Sequence, residues 1–95
     1  MNPHILFVID HQMNPEKHTK EQLMDNYKTA YKDYVSAAYK NYASAAPASA
    51  ASYTSYAAYA VYSADDITYW INEYLKRSGE NKQDYIDEIN KESQS

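Results

Sequence analysis

Three histidines recur at seven-residue intervals, His4, His11 and His18, with Asp10 beside the second. On one unbroken helix they would share a face, and imidazole with carboxylate is a common ligand set for zinc. Pro15 interrupts that helix, and the spacing matches no tight zinc pattern such as two histidines one turn apart. The residues therefore predict no metal site and three solvent-exposed histidines. Asp65 and Asp66, with Glu73 two turns on, are the nearest approach to a carboxylate pair. Catalytic carboxylates face each other across a cleft, whereas Glu73 and Arg77, four apart, read as an ordinary helix-surface ion pair. Serine is plentiful, but there is no G-x-S-x-G turn, and the single glycine, Gly79, excludes a phosphate-binding loop. No catalytic residue and no cofactor is expected, and the chain reads as non-enzymatic.

The residue type in excess is tyrosine, twelve in 95 residues. Tyr53, Tyr56, Tyr59 and Tyr62 stand three apart, separated by little but alanine, serine and threonine. A step of three turns about 300° around a helix, so four such rings cannot all face one core. With Tyr53 on an Ala50–Ala57–Ala60 seam, Tyr56, Tyr59 and Tyr62 fan across the opposite flank, and Tyr39 and Tyr42 do the same on the preceding segment. Tyrosine loses little side-chain entropy when fixed and presents a large amphipathic face, which is why binding surfaces are rich in it. Tyr39, Tyr42, Tyr56, Tyr59 and Tyr62 are thus the expected partner-binding residues. The competing reading is that the terminal helices fold over these rings and bury them.

Those rings need elements to hold them. Leu, Ile, Val and Phe number 13 of 95 residues, so a single folded domain must bury aromatic rings and alanine methyls as well. One glycine and three prolines leave too few turns for a strand-rich fold, and the expected fold is all-α. Asn2 and Pro3 start a short helix over about 1–13, despite β-branched residues that would also suit a strand. Thr19 and Gln22 form a capping box for a helix over 20–45. There a three-four spacing runs through Met24, Tyr27, Tyr31, Tyr34, Ala38, Asn41 and Ala45. After Pro47 the same spacing gives Ala50, Tyr53, Ala57, Ala60, Ala64, Ile67, Ile71 and Tyr74, predicting one helix over 48–77. If Pro47 reverses the chain rather than bending it, the two form a long antiparallel helical hairpin whose tyrosine stripe packs against its alanine stripe. Lys76, Arg77 and Gly79 end that helix, and Asn81 caps a short C-terminal one over 81–92.

Net charge is −4, with five charges of each sign in residues 1–44 but four positive against eight negative in 65–95. No basic footprint for direct nucleic-acid contact is present. Residues 41–64 carry no charge, yet they are Ala, Ser, Tyr and Asn with a proline inside, which argues against a membrane span. The N-terminal residues do not read as a signal peptide. Absence of cysteine suits a cytoplasmic setting.

The segments "HILFVIDHQMNPEKHT" and "YWINEYLKRSGENKQDYIDEI", on either side of an Ala/Tyr-rich middle, resemble a group of small accessory proteins from large lytic tailed bacteriophages. The resemblance implies a role in the host cytoplasm. Small phage proteins of this size commonly bind a host protein, including defence proteins, and inhibit or redirect it. The expected function is accordingly a helical binding module acting on a host protein through its tyrosine-rich face, with homo-oligomers expected. Three alternatives stand beside it. The chain could be a self-assembling structural protein, an acidic DNA mimic, or a nucleotide or small-ligand sponge. A sponge's pocket would lie between protomers, lined by aromatics and Lys28 or Lys32.

Overall fold

Asn2 and Pro3 begin the first helix as their chemistry requires. In the computed structural model, Asn2 Oδ1 accepts from the backbone N–H groups of His4 (2.9 Å) and Ile5 (3.3 Å), and Pro3 fills the first helical position. The helix, α1, spans Pro3–Met13 and not a strand. The structure describes the backbone of residues 1–40, 45–63 and 66–93, and the side chains within 1–37, 50–63 and 66–92.

Thr19 and Gln22 close the expected capping box, Gln22 N–H on Thr19 Oγ1 and Thr19 N–H on Gln22 Oε1. It opens α2, Lys20–Lys40. The next helix, α3, covers Ala45–Ser63, so Pro47 falls in its first turn, where its missing N–H costs no helical bond. The single helix expected over 48–77 is two, because Asp66 turns its Oδ1 to Tyr69 N–H (3.2 Å) and caps a separate helix, α4, Ile67–Ser78. An unbroken helix of that length would measure roughly 45 Å, longer than the 42 Å longest dimension of the protein. The break lets α4 fold back on α3. At its far end Gly79 takes a left-handed φ of 75° and donates its N–H to Leu75 O (2.9 Å). Asn81 Oδ1 then accepts from Gln83 N–H (2.9 Å) and opens α5, Lys82–Ser93. Among the described residues there are five helices and no strand, and none of those helices is long and apolar enough to cross a membrane.

The core also differs from the expected tyrosine-against-alanine seam. Its centre is α1, which contributes Ile5, Val8 and Ile9, all fully buried, and touches each of the other four helices. Around them close Ala30 of α2, Ala57, Ala58 and Val61 of α3, Ile71 and Tyr74 of α4, and Tyr85 and Ile89 of α5. From α2 only Ala30 is fully buried there; Leu23 and Tyr27 pack partly buried against the core, and Tyr31 is turned out. Small residues win that position because the bulk is already supplied by α1, and two bulky layers would overfill the space. Contacts between α2 and α3 run in opposite senses. Lys20 sits over Tyr62 and Tyr27 against Tyr59, while Ala30 and Asp33 face Ala51 and Thr54 across a cavity.

Candidate docking face

Because α3 turns Thr54, Ser55, Ala57, Ala58, Ala60 and Val61 inward, its three-residue tyrosine spacing throws Tyr56 and Tyr59 out between α2 and α4. They are 43% and 48% exposed. From α2 come Tyr27, Tyr31 and Tyr34, and from α4 Tyr69 and Trp70, with Tyr31 49% and Tyr69 52% exposed. Ring contacts link them in two strings. One runs Tyr34, Tyr31, Tyr27, Tyr59, Tyr62, with successive centroids 6.2, 6.2, 5.0 and 6.4 Å apart. The other joins Tyr53, Tyr56, Trp70 and Tyr69 at 5.5, 5.2 and 4.9 Å. A groove of about 210 Å³, lined by Tyr27, Tyr31, Tyr34, Ser55, Tyr56 and Tyr59, joins the strings into one face. All these pairs are tilted or edge-to-face, the geometry that the ring quadrupole favours.

Cations mark two edges. The Arg77 guanidinium lies 4.3 Å from the Tyr53 centroid and donates through Nη2 to Tyr53 Oη (2.9 Å), and the same Nη2 lies 3.5 Å from Glu73 Oε2. Lys20 Nζ stands 5.8 Å over Tyr62. Each ring is thus fixed by its neighbours before any partner arrives, so little side-chain entropy remains to be lost on docking.

Of the residues expected to bind a partner, Tyr56 and Tyr59 lie on this face in the open. Tyr62 is half-buried at its Lys20 edge. The side chain of Tyr39 and all of Tyr42 lie outside the described residues. Sequence reasoning missed Tyr27, Tyr31, Tyr34, Tyr69 and Trp70. The first three were assigned to the core by their spacing; Tyr27 does pack against it while its ring also meets Tyr59, whereas Tyr31 is turned out. Tyr69 and Trp70 depend on the break before α4, which the continuous stripe concealed.

At the opposite end of α3 the tyrosines do something else. Tyr74 Oη and Tyr85 Oη both donate to Glu80 Oε1. Asn2 donates its backbone N–H to Tyr85 Oη (3.1 Å), and its Nδ2 to Tyr74 Oη (3.1 Å) and Thr54 Oγ1 (3.0 Å). Burial, and then the Glu80 carboxylate, push both phenols above their usual range, Tyr85 further than Tyr74. The network ties the start of α1 to α3, α4 and α5. Beside it lies a cavity of about 360 Å³ between Asn2, His4, Ala30, Asp33, Thr54 and Glu80, where Asn2 bonds Thr54, His4 bonds Asp33 and Asn26, and Glu80 accepts from Tyr74 and Tyr85.

The histidines correct a second expectation, since none is fully exposed. His4 Nε2 meets Asp33 Oδ2 at 2.9 Å and its Nδ1 meets Asn26 Oδ1 at 3.0 Å. His11 and His18 stack against each other at the far end of α1, 5.7 Å between centroids. Among the described residues, no three histidine, aspartate or glutamate groups converge as metal ligands. Asp66 serves as a helix cap, and Asp65 lies outside the described residues.

No protein-family model, curated protein or solved structure matches the chain.

Proposed function

We propose that this chain is a helical binding module, and that the aromatic face of α2, α3 and α4 is where a partner protein docks. The observation that carries the reading is that Tyr31, Tyr56, Tyr59 and Tyr69 stay about half exposed on one continuous face, while other tyrosines of the same chain are buried. A protein poor in Leu, Ile and Val does not leave such rings in water for stability alone. The phage resemblance supports a bacterial host protein as the partner, bound in the cytoplasm and inhibited or redirected by occlusion, with no enzymatic step.

The test compares the wild-type chain with the Tyr31→Gln, Tyr56→Gln, Tyr59→Gln variant as bait in a bacterial lysate. Glutamine keeps helix propensity and solubility while removing the rings. A host protein held by wild type, lost by a variant of equal helicity, and bound again from purified components supports the reading. Equal retention by the variant overturns it. A second reading, in which the face joins copies of this chain, is favoured by the tyrosine pairs that already meet edge-to-face on it. Light scattering across concentration separates the two: a dimer dissociated by the same substitutions would mark self-association.

A further inference from the structure

The connection between α1 and α2, residues 14–19, is fastened by a cluster that the docking face does not use. Lys17 Nζ donates to Asp10 Oδ2 (2.7 Å), and Asn14 Nδ2 to Asp10 Oδ1 (2.9 Å). His18 closes over the same place. Its ring lies 4.1 Å from that of Phe7 and 5.7 Å from that of His11, and its Nε2 is 3.7 Å from Asp10 Oδ2. The His18 side chain is only 10% exposed. The Nδ1 atoms of both His11 and His18 are shut off from solvent with no hydrogen-bond partner.

An unpaired buried polar atom is destabilising, and more so when the ring is charged. A neutral imidazole has one proton to place, whereas an imidazolium has two, and each then needs an acceptor. Nδ1 of His18 has none here. The charged and titratable groups facing the ring are Asp10, His11 and Lys17. Asp10 would welcome a proton on His18, but its carboxylate is already held by Lys17 and Asn14. His11 and Lys17 oppose that proton. Desolvation is the largest influence and acts in the same direction, holding His18 below its ordinary value.

We infer that the 14–19 connection is a proton-operated latch: at neutral pH His18 closes over Phe7 and His11 as an uncharged ring, and in acid it leaves as an imidazolium, freeing the start of α2 from α1. A ring in water takes up a proton as the pH falls past 6.5, while the closed ring resists. Acid therefore favours the open form. The network of Asn2, Tyr74, Tyr85 and Glu80 sits at the other end of α1, so opening is local.

Backbone hydrogen exchange, corrected for intrinsic rates, tests this at about pH 7.5 and about pH 5.5. In the wild type, the amides of residues 14–23 should lose roughly tenfold protection in acid, with those of α4 and α5 unchanged. His18→Phe, which keeps the ring contact with Phe7 but cannot take a proton, should hold its protection at both values. Undiminished protection in the wild type, or equal loss in His18→Phe, overturns the latch. Should that variant not fold, the imidazole titration of wild-type His18 decides: a midpoint below 6.5 that coincides with the loss of protection supports the latch. A midpoint at or above that value overturns it.

Discussion

Tyrosine has three different fates in this chain, and neighbours rather than residue type assign them. Tyr85 is fully buried with its hydroxyl between the Asn2 N–H and Glu80. Tyr53 is half-buried with Arg77 seated on its ring, and Tyr56 and Tyr59 remain open to water. Tyr85→Phe keeps the ring but takes one of two donors from Glu80 Oε1 and the acceptor from the Asn2 backbone N–H. Chemical denaturation should report a loss of about 1–3 kcal/mol. The two buried phenols also give stability a definite dependence on pH. Their folded values lie above the ordinary 10.0, so in the alkaline range the folded state holds protons that the unfolded chain releases. Their contribution is complete below pH 10.0 and is lost as the pH rises past it. Denaturant midpoints measured up the alkaline limb should fall, and fall less steeply in Tyr85→Phe. The three-four stripe put Tyr74 on an apolar face, but no local pattern joins Tyr74 and Tyr85 to Asn2 and Glu80, so the network was not legible in the sequence.

At the scale of the helix, the ends were far more legible than the middles. Asn2–Pro3, the Thr19/Gln22 box, Gly79 and Asn81 all work as local chemistry dictates, since a cap satisfies backbone groups within a few residues of itself. The break before α4 was not legible for the converse reason. The apolar stripe runs on through Ile67, Ile71 and Tyr74, and an aspartate inside a helix costs only a few tenths of a kcal/mol. What favours the break is the packing of α4 against α3, a tertiary gain that periodicity does not show. Asp66→Ala should therefore cost about 1 kcal/mol and loosen α4 first, visible as faster hydrogen exchange from Tyr69 onward. Gly79→Ala meets nothing within 4 Å, so its cost is the left-handed backbone alone, about 1–2 kcal/mol by thermal or denaturant unfolding.

For the molecule as a whole, the shortest helix does the most. Residues 5–9 look like the start of a minor N-terminal helix, yet they form the hub around which the other four close. Once α1 fills the centre, α2 fully buries only Ala30 there, Tyr27 packs at the margin of the core, and Tyr31 is turned toward the surface. The position of the aromatic face is thus a consequence of where α1 docks, which no three-four pattern within α2 encodes. The three-residue spacing in α3 did announce that some rings must point outward, and Tyr56 and Tyr59 are among them. Since every helix leans on α1, Ile9→Ala should cost about 2–5 kcal/mol and lower the unfolding midpoint of all helices together. Loss of α1 contacts alone, with the rest intact, would show a hub that the others do not need.

A docking role requires that the aromatic face be open in the free protein while the deep tyrosines are closed. Residue-resolved nitration of tyrosine, read by mass spectrometry on the dilute native chain, tests it directly. The expected outcome is modification at Tyr31, Tyr56, Tyr59 and Tyr69, with Tyr74 and Tyr85 spared until the protein unfolds. Protection of Tyr56 and Tyr59 equal to that of Tyr85 would mean that these rings are covered in the free chain, and the docking face would have to be abandoned.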